Sequence, residues 1–144
     1  MNESTTNQLE KILANIDTAK QMEDFMEMPK VADSFKSFSE YFESLPSVAD
    51  LGSGEIIRRS ALERSYYYQV MKGTRKPSRD KVLRLCLAAE LTLKETTRAL
   101  ELSGNAALYP RRRRDIILTV AINQRAGVID ANLLLDKYGE APLS

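Results

Sequence analysis

The residue types that do most protein chemistry are scarce in this chain. It has no histidine and a single cysteine, Cys86, among 144 residues, so the commonest general base, the usual zinc ligands and an internal disulfide are all missing. Cys86 sits in VLRLCLAAEL, an apolar helical stretch where the expected role is that of a small buried hydrophobe. Asp and Glu are plentiful, but their spacing points to helix surfaces. No metal-ligand cluster, phosphate-cradling loop or nucleophile–base pair can be assembled from them, so an enzyme, a cofactor and a metal are not expected. What remains is cationic and hydrogen-bonding chemistry: residues 53–81 hold 8 Lys/Arg against 3 Asp/Glu, interleaved with Tyr66, Tyr67, Tyr68 and Gln69. Clustered guanidinium and ammonium groups bind anions through charge-assisted hydrogen bonds. The competing reading is a merely solvated surface.

The elements that must position these groups are helical. Over residues 7–26, Leu9, Ile12, Ile16 and Ala19 recur at steps of three and four, the stripe of an amphipathic helix. Pro29 breaks that run, and residues 31–45, with Phe35, Phe38, Tyr41, Phe42 and Leu45 on one face, predict a second helix ending at Pro46. Ser53 is the expected N-cap of a short helix over residues 54–60 that buries Ile56 and Ile57. Ala61 then stands in a tight turn, Leu62 follows as an apolar residue, and residues 64–72 form the next helix, ended by Gly73. Tyr67 is expected to turn inward with Val70, leaving Tyr66 and Tyr68 outward.

The second half of the chain carries an internal repeat. SRDKVLRLCLAAELTLKETTRALELSGNAAL aligns without gaps to RRDIILTVAINQRAGVIDANLLLDKYGEAPL at an offset of 35 residues. Arg79-Asp80 matches Arg114-Asp115, Leu100 matches Leu135, and Gly104 matches Gly139. Two copies of a helical hairpin are expected, stacked beside the cationic unit. Overall the chain reads as all-α with about seven helices: an N-terminal acidic helix in residues 1–30, a core in 31–104 and a C-terminal helical hairpin extension in 105–144.

SGEIIRRSALERSYYYQVMKGTRKPSRDKVLRL resembles the Cro-like, xenobiotic-response-element family of helix-turn-helix regulators. The likeness rests on the helix ending at Gly73, the basic pair Arg75-Lys76 and the Pro77-Ser78 that opens the following helix, and it covers roughly residues 35–96. The chain departs from the family at Ala61, where Gly is common, and at Met71, where Glu is common. The LYPRRRRD segment also resembles an extension found in a group of bacterial regulators of this type. The resemblance implies a repressor-like bundle binding double-stranded DNA as a homodimer, with helix 64–72 in the major groove. Arg64, Ser65, Tyr66, Tyr68 and Gln69 then meet base edges, Arg64 matched to guanine and Gln69 to adenine. Ser53, Arg58, Lys72, Thr74, Arg75 and Lys76 hold phosphates.

Charge is unevenly spread: residues 1–50 hold 4 Lys/Arg against 10 Asp/Glu, residues 51–144 hold 17 against 10. Arg111, Arg112, Arg113 and Arg114 sit at the start of a helix, where cations oppose the dipole, so an anion is expected to compensate. DNA phosphate, the acidic N-terminal segment, Asp115 and a protein partner all qualify. Arg114, aligned with Arg79, is expected to be structural, and Arg111 to Arg113 stay open. The alternative to a transcription factor is an adaptor that keeps the fold, binds protein and leaves DNA alone. The start of the chain lacks a secretion signal and no stretch is long and apolar enough for a membrane span, so a cytoplasmic protein with no membrane contact is expected.

Overall fold

A computed structural model describes residues 37–144, so the expected helix over residues 7–26 and the first part of that over 31–45 lie outside the described residues. Within them are seven helices and no strand. The first, α1 (Phe38–Ser44), starts where the Ser37 hydroxyl accepts from the Glu40 N–H at 3.2 Å. It buries Phe38, Tyr41 and Phe42 and stops two residues before Pro46, which cannot donate to the preceding turn. Pro46 opens α2 (Pro46–Ser60), whose helical backbone is interrupted only at Gly52 (φ 80°, ψ 161°). Ser53 is therefore already helical, and Gly52 takes the non-helical position expected of Ser53 at the start of the second half.

Three residues, Ala61, Leu62 and Glu63, carry the chain out of α2 and into α3 (Arg64–Met71). Next come α4 (Arg79–Ala88), α5 (Leu93–Leu102), α6 (Arg113–Asn123) and α7 (Val128–Lys137). Ser78 caps α4 by accepting from the Lys81 N–H. Thr92 and Glu95 close a reciprocal capping box on α5, at 3.1 and 2.9 Å. Helix α4 is the centre of the unit, packing against α2, α5 and α7, while α1 lies across α2, α3 and α5. The core is built from Phe42, Ile56, Leu83, Leu85, Leu100, Leu118 and Leu135, all fully buried, each worth about 1.5–3 kcal/mol over an exposed position. Cys86 is buried among them and burial pushes its thiol up to about 12, which keeps it protonated and inert.

The repeat is present in the backbone. At offset 35, α5 and α7 share both boundaries, and α6 begins one residue before the counterpart of Arg79 and ends at that of Ala88. Both first helices end on a left-handed residue, Glu90 (φ 54°) and Arg125 (φ 56°), and both second helices on a left-handed glycine, Gly104 (φ 76°) and Gly139 (φ 74°). The closing hydrogen bonds match as well: Leu91 N to Cys86 O and Ala126 N to Ala121 O, then Asn105 N to Leu100 O and Glu140 N to Leu135 O.

The two hairpins exchange contacts like the halves of a two-fold dimer. Arg79 donates two bonds of 2.9 Å to Asp115 of the second copy, and Arg114 donates two of 3.1 and 2.9 Å to Asp80 of the first. Arg79 also reaches the carbonyls of Ala106 and Ala107, and Arg114 those of Ala141 and Pro142, 35 residues on. Each carboxylate finally accepts a backbone N–H from the matching tail, Tyr109 on Asp115 and Ser144 on Asp80. Burial alone would raise both carboxyls, but these hydrogen bonds outweigh it and leave Asp80 and Asp115 below the ordinary aspartate value. The structural role expected of Arg114 has its geometry here.

Candidate nucleic-acid interface

The cationic surface is set by how α3 is anchored. Leu62, Tyr67 and Val70 are buried, as are Ile56 and Ile57 on α2, so α3 is fixed by one side. At about 100° per residue, Ser65, Tyr68 and Gln69 fall on the arc opposite Tyr67 and Val70 and Arg64 lies at its flank, and all four are exposed. The turn that sets this orientation is closed by Ala61 in the left-handed region (φ 58°, ψ 27°), its N–H bonded to Arg58 O. Ser60, fully buried beside it, donates its hydroxyl to Ile57 O and accepts from the Leu62 N–H. Glu63 precedes α3 in extended conformation and makes no side-chain cap, so the first-turn N–H groups carry no such partner.

The five expected base-reading residues therefore share one helix, with unequal freedom. Arg64 and Ser65 are exposed and make no side-chain bond among the described residues. Tyr66 is half-buried, and the Arg75 guanidinium lies 5.0 Å from its ring centroid, a cation–π contact. Tyr68 stays 38% exposed, its hydroxyl 3.3 Å from that of Ser53. Gln69 Oε1 lies 3.5 Å from Arg75 Nη1, at the long limit of a hydrogen bond, and its carbonyl accepts from both the N–H and the hydroxyl of Thr74. The loop after α3 thus folds back along the exposed arc.

The expected phosphate-contacting residues divide by charge state of their surroundings. Arg58 is gripped by Glu55 through two bonds of 2.7 Å, and Arg59 reaches the same carboxylate at 3.1 Å. Those bonds hold the Glu55 carboxyl down at about 2, so this trio offers less unbalanced charge than the sequence count suggests. Such i,i+3 and i,i+4 spacings are readable in the sequence. Lys72, Arg75 and Lys76 are exposed and form no ion pair among the described residues. Lys76 lies across Gly104, where an added Cβ would come 2.9 Å from its Nζ. Arg64, Lys72, Arg75 and Lys76 accordingly leave an unneutralised positive field over α3 and the loop after it. The juxtaposition of Ser53 with Tyr68, 15 residues apart, had no local signal to announce it.

Among the described residues no group of His, Cys, Asp or Glu is placed to hold a metal ion, and no helix is long and apolar enough to cross a membrane. No family model, no curated protein and no solved structure matches this chain.

Proposed function

We propose that this protein is a sequence-specific double-stranded DNA-binding transcription regulator, a repressor acting as a homodimer, related to the Cro-like, xenobiotic-response-element type. On this reading the second half of α2, the turn at Ala61 and α3 are the helix-turn-helix, and α3 enters the major groove. Arg64, Ser65 and Gln69 face base edges with Tyr66 and Tyr68 beside them, while Lys72, Thr74, Arg75 and Lys76 hold the backbone. Ser53 and Arg58 contribute at the margin, Arg58 less than its charge implies because Glu55 holds it. The observation that carries the reading is the exposed arc of Arg64, Ser65, Tyr68 and Gln69 on a helix pinned from behind by Tyr67 and Val70. Two copies are invoked because one eight-residue helix spans too few base pairs for useful specificity.

The experiment is selection of bound duplexes from a random pool. Enrichment of a palindrome with half-sites one helical turn apart supports regulator and dimer together. A pool that stays random after repeated rounds at low salt removes the reading.

One observation favours a second reading, a protein-binding adaptor that leaves DNA alone. On α6 and α7, Ile116, Val120, Ile129 (76% exposed) and Leu133 (63% exposed) face outward, an apolar surface of the kind that meets partners. An adaptor of this sort shows no duplex binding at any salt concentration.

A further inference from the structure

We infer that Arg111 and Arg112 form a second phosphate-contacting cluster beside the loop after α3, an inference that rests on the DNA-binding reading above. Of the four consecutive arginines, two are already committed. Arg114 holds Asp80 and two carbonyls, and Arg113 donates to Tyr138 O at 2.8 Å and lies 3.7 Å from Glu140. Arg111 and Arg112 are exposed and make no side-chain hydrogen bond or ion pair among the described residues. The carboxylate that feels the charge of Arg112 is Asp115, whose oxygens are occupied by Arg79 and the Tyr109 N–H. Both cations stand just ahead of α6, where positive charge opposes the helix dipole. Their position opposes the helix dipole and brings neither a hydrogen bond nor an ion pair among the described residues, so an external anion is the partner that makes sense of them.

The fold also says where that anion lies. The reciprocal Arg79–Asp115 and Arg114–Asp80 pairs draw the N-terminal ends of α4 and α6 together. The loops leading into these ends, residues 72–78 and 103–112, are consequently neighbours. Asn105 Nδ2 donates to Pro77 O at 3.3 Å, Lys76 lies across Gly104, and Arg79 binds Ala106 O and Ala107 O. Lys72, Arg75 and Lys76 occupy the first loop and Arg111 and Arg112 close the second. On this inference a polyanion held by the first loop also reaches the second cluster, and a DNA strand, with its closely spaced phosphates, is such a polyanion.

The test uses the full chain and the duplex recovered by selection. Affinity is measured between 50 and 200 mM salt for the wild type, for Arg111→Gln with Arg112→Gln, and for Arg111→Lys with Arg112→Lys. Each phosphate contact contributes about 0.9 to the slope of log affinity against log salt. The Gln pair removes two contacts per copy, four in the dimer, and is expected to flatten the slope by about 3.6 while the ranking of competitor sequences is unchanged; the Lys pair is expected to restore it. A Gln pair with wild-type slope overturns the inference and leaves the DNA-binding reading standing. A Gln pair that loses thermal stability at unchanged slope overturns it too, and assigns the arginines to an acidic partner within the chain. A wild type that binds no duplex removes the reading and the inference together.

Discussion

Arg64 and Gln69 are the residues on which base discrimination is expected to depend, and they differ in how ready they are. Arg64 is unencumbered, whereas Gln69 must exchange its long contact with Arg75 for a base edge. Each bidentate pair discriminates by about 1–3 kcal/mol, so Arg64→Ala combined with Gln69→Ala is expected to erase preference for the selected duplex over a scrambled one. Melting temperature should hold, since both side chains are exposed; a variant that still prefers its site in competition binding refutes these assignments. Ala61 offers a stability test at the same scale. A left-handed backbone with a Cβ costs about 1–2 kcal/mol, and the extra unfolded-state freedom of glycine costs about 0.4–1 kcal/mol. Ala61→Gly is therefore expected to raise stability by about 0.5–1 kcal/mol in urea unfolding, and Ala61→Val, with its branched Cβ, to lower it. The inward turn of Tyr67 was legible from helical spacing. The cation–π contact of Tyr66 was not, because its partner Arg75 is nine residues further on and beyond a turn.

The repeated hairpins are held by two ion pairs that are equivalent by pseudo-symmetry, so their energetics should be equivalent too. Arg79→Ala and Arg114→Ala are each expected to cost about 2–3 kcal/mol, below the range for a fully buried pair because both arginines keep some solvent contact. Unequal losses in denaturant unfolding would mean that the pairs do not share one environment. The pH dependence follows from the carboxylates. Asp80 and Asp115 titrate below their unfolded value in the native state, so their contribution is full above the unfolded aspartate range near pH 4. It is lost as pH falls through the lower native values. Asp115→Asn should consequently be less stable than wild type at pH 7, with the gap narrowing below about pH 4. The offset of 35 residues and the matched glycines were legible in the sequence. The exchange of partners was not, since neighbours on a helix point about 100° apart and Arg79 cannot close on Asp80; only packing one copy on the other supplies the acceptor.

For the whole molecule the decisive quantity is the salt dependence of duplex binding. Two copies each presenting Lys72, Arg75 and Lys76 make about six phosphate contacts, and six contacts predict roughly a thousandfold loss of affinity between 50 and 200 mM salt. A weak dependence would place the binding energy outside those loops. The repeat also shows why an adaptor stays the rival. Lys81, Lys94 and Arg98 in the first copy correspond, 35 residues on, to Ile116, Ile129 and Leu133 in the second, which are exposed. The same backbone thus presents charge on one hairpin and aliphatic surface on the other.

Helical class, the duplicated hairpin and the inward face of the tyrosine-bearing helix were all determined by the sequence alone, because they follow from short-range periodicity and local turn chemistry. Which cations remain available for a ligand was decided only by tertiary structure. Glu55 takes Arg58 within one helix, but Asp80 and Asp115 take Arg114 and Arg79 across 34 and 36 residues. An ion pair depends on distances of a few ångströms between groups remote along the chain, and a count of charges carries no such distances.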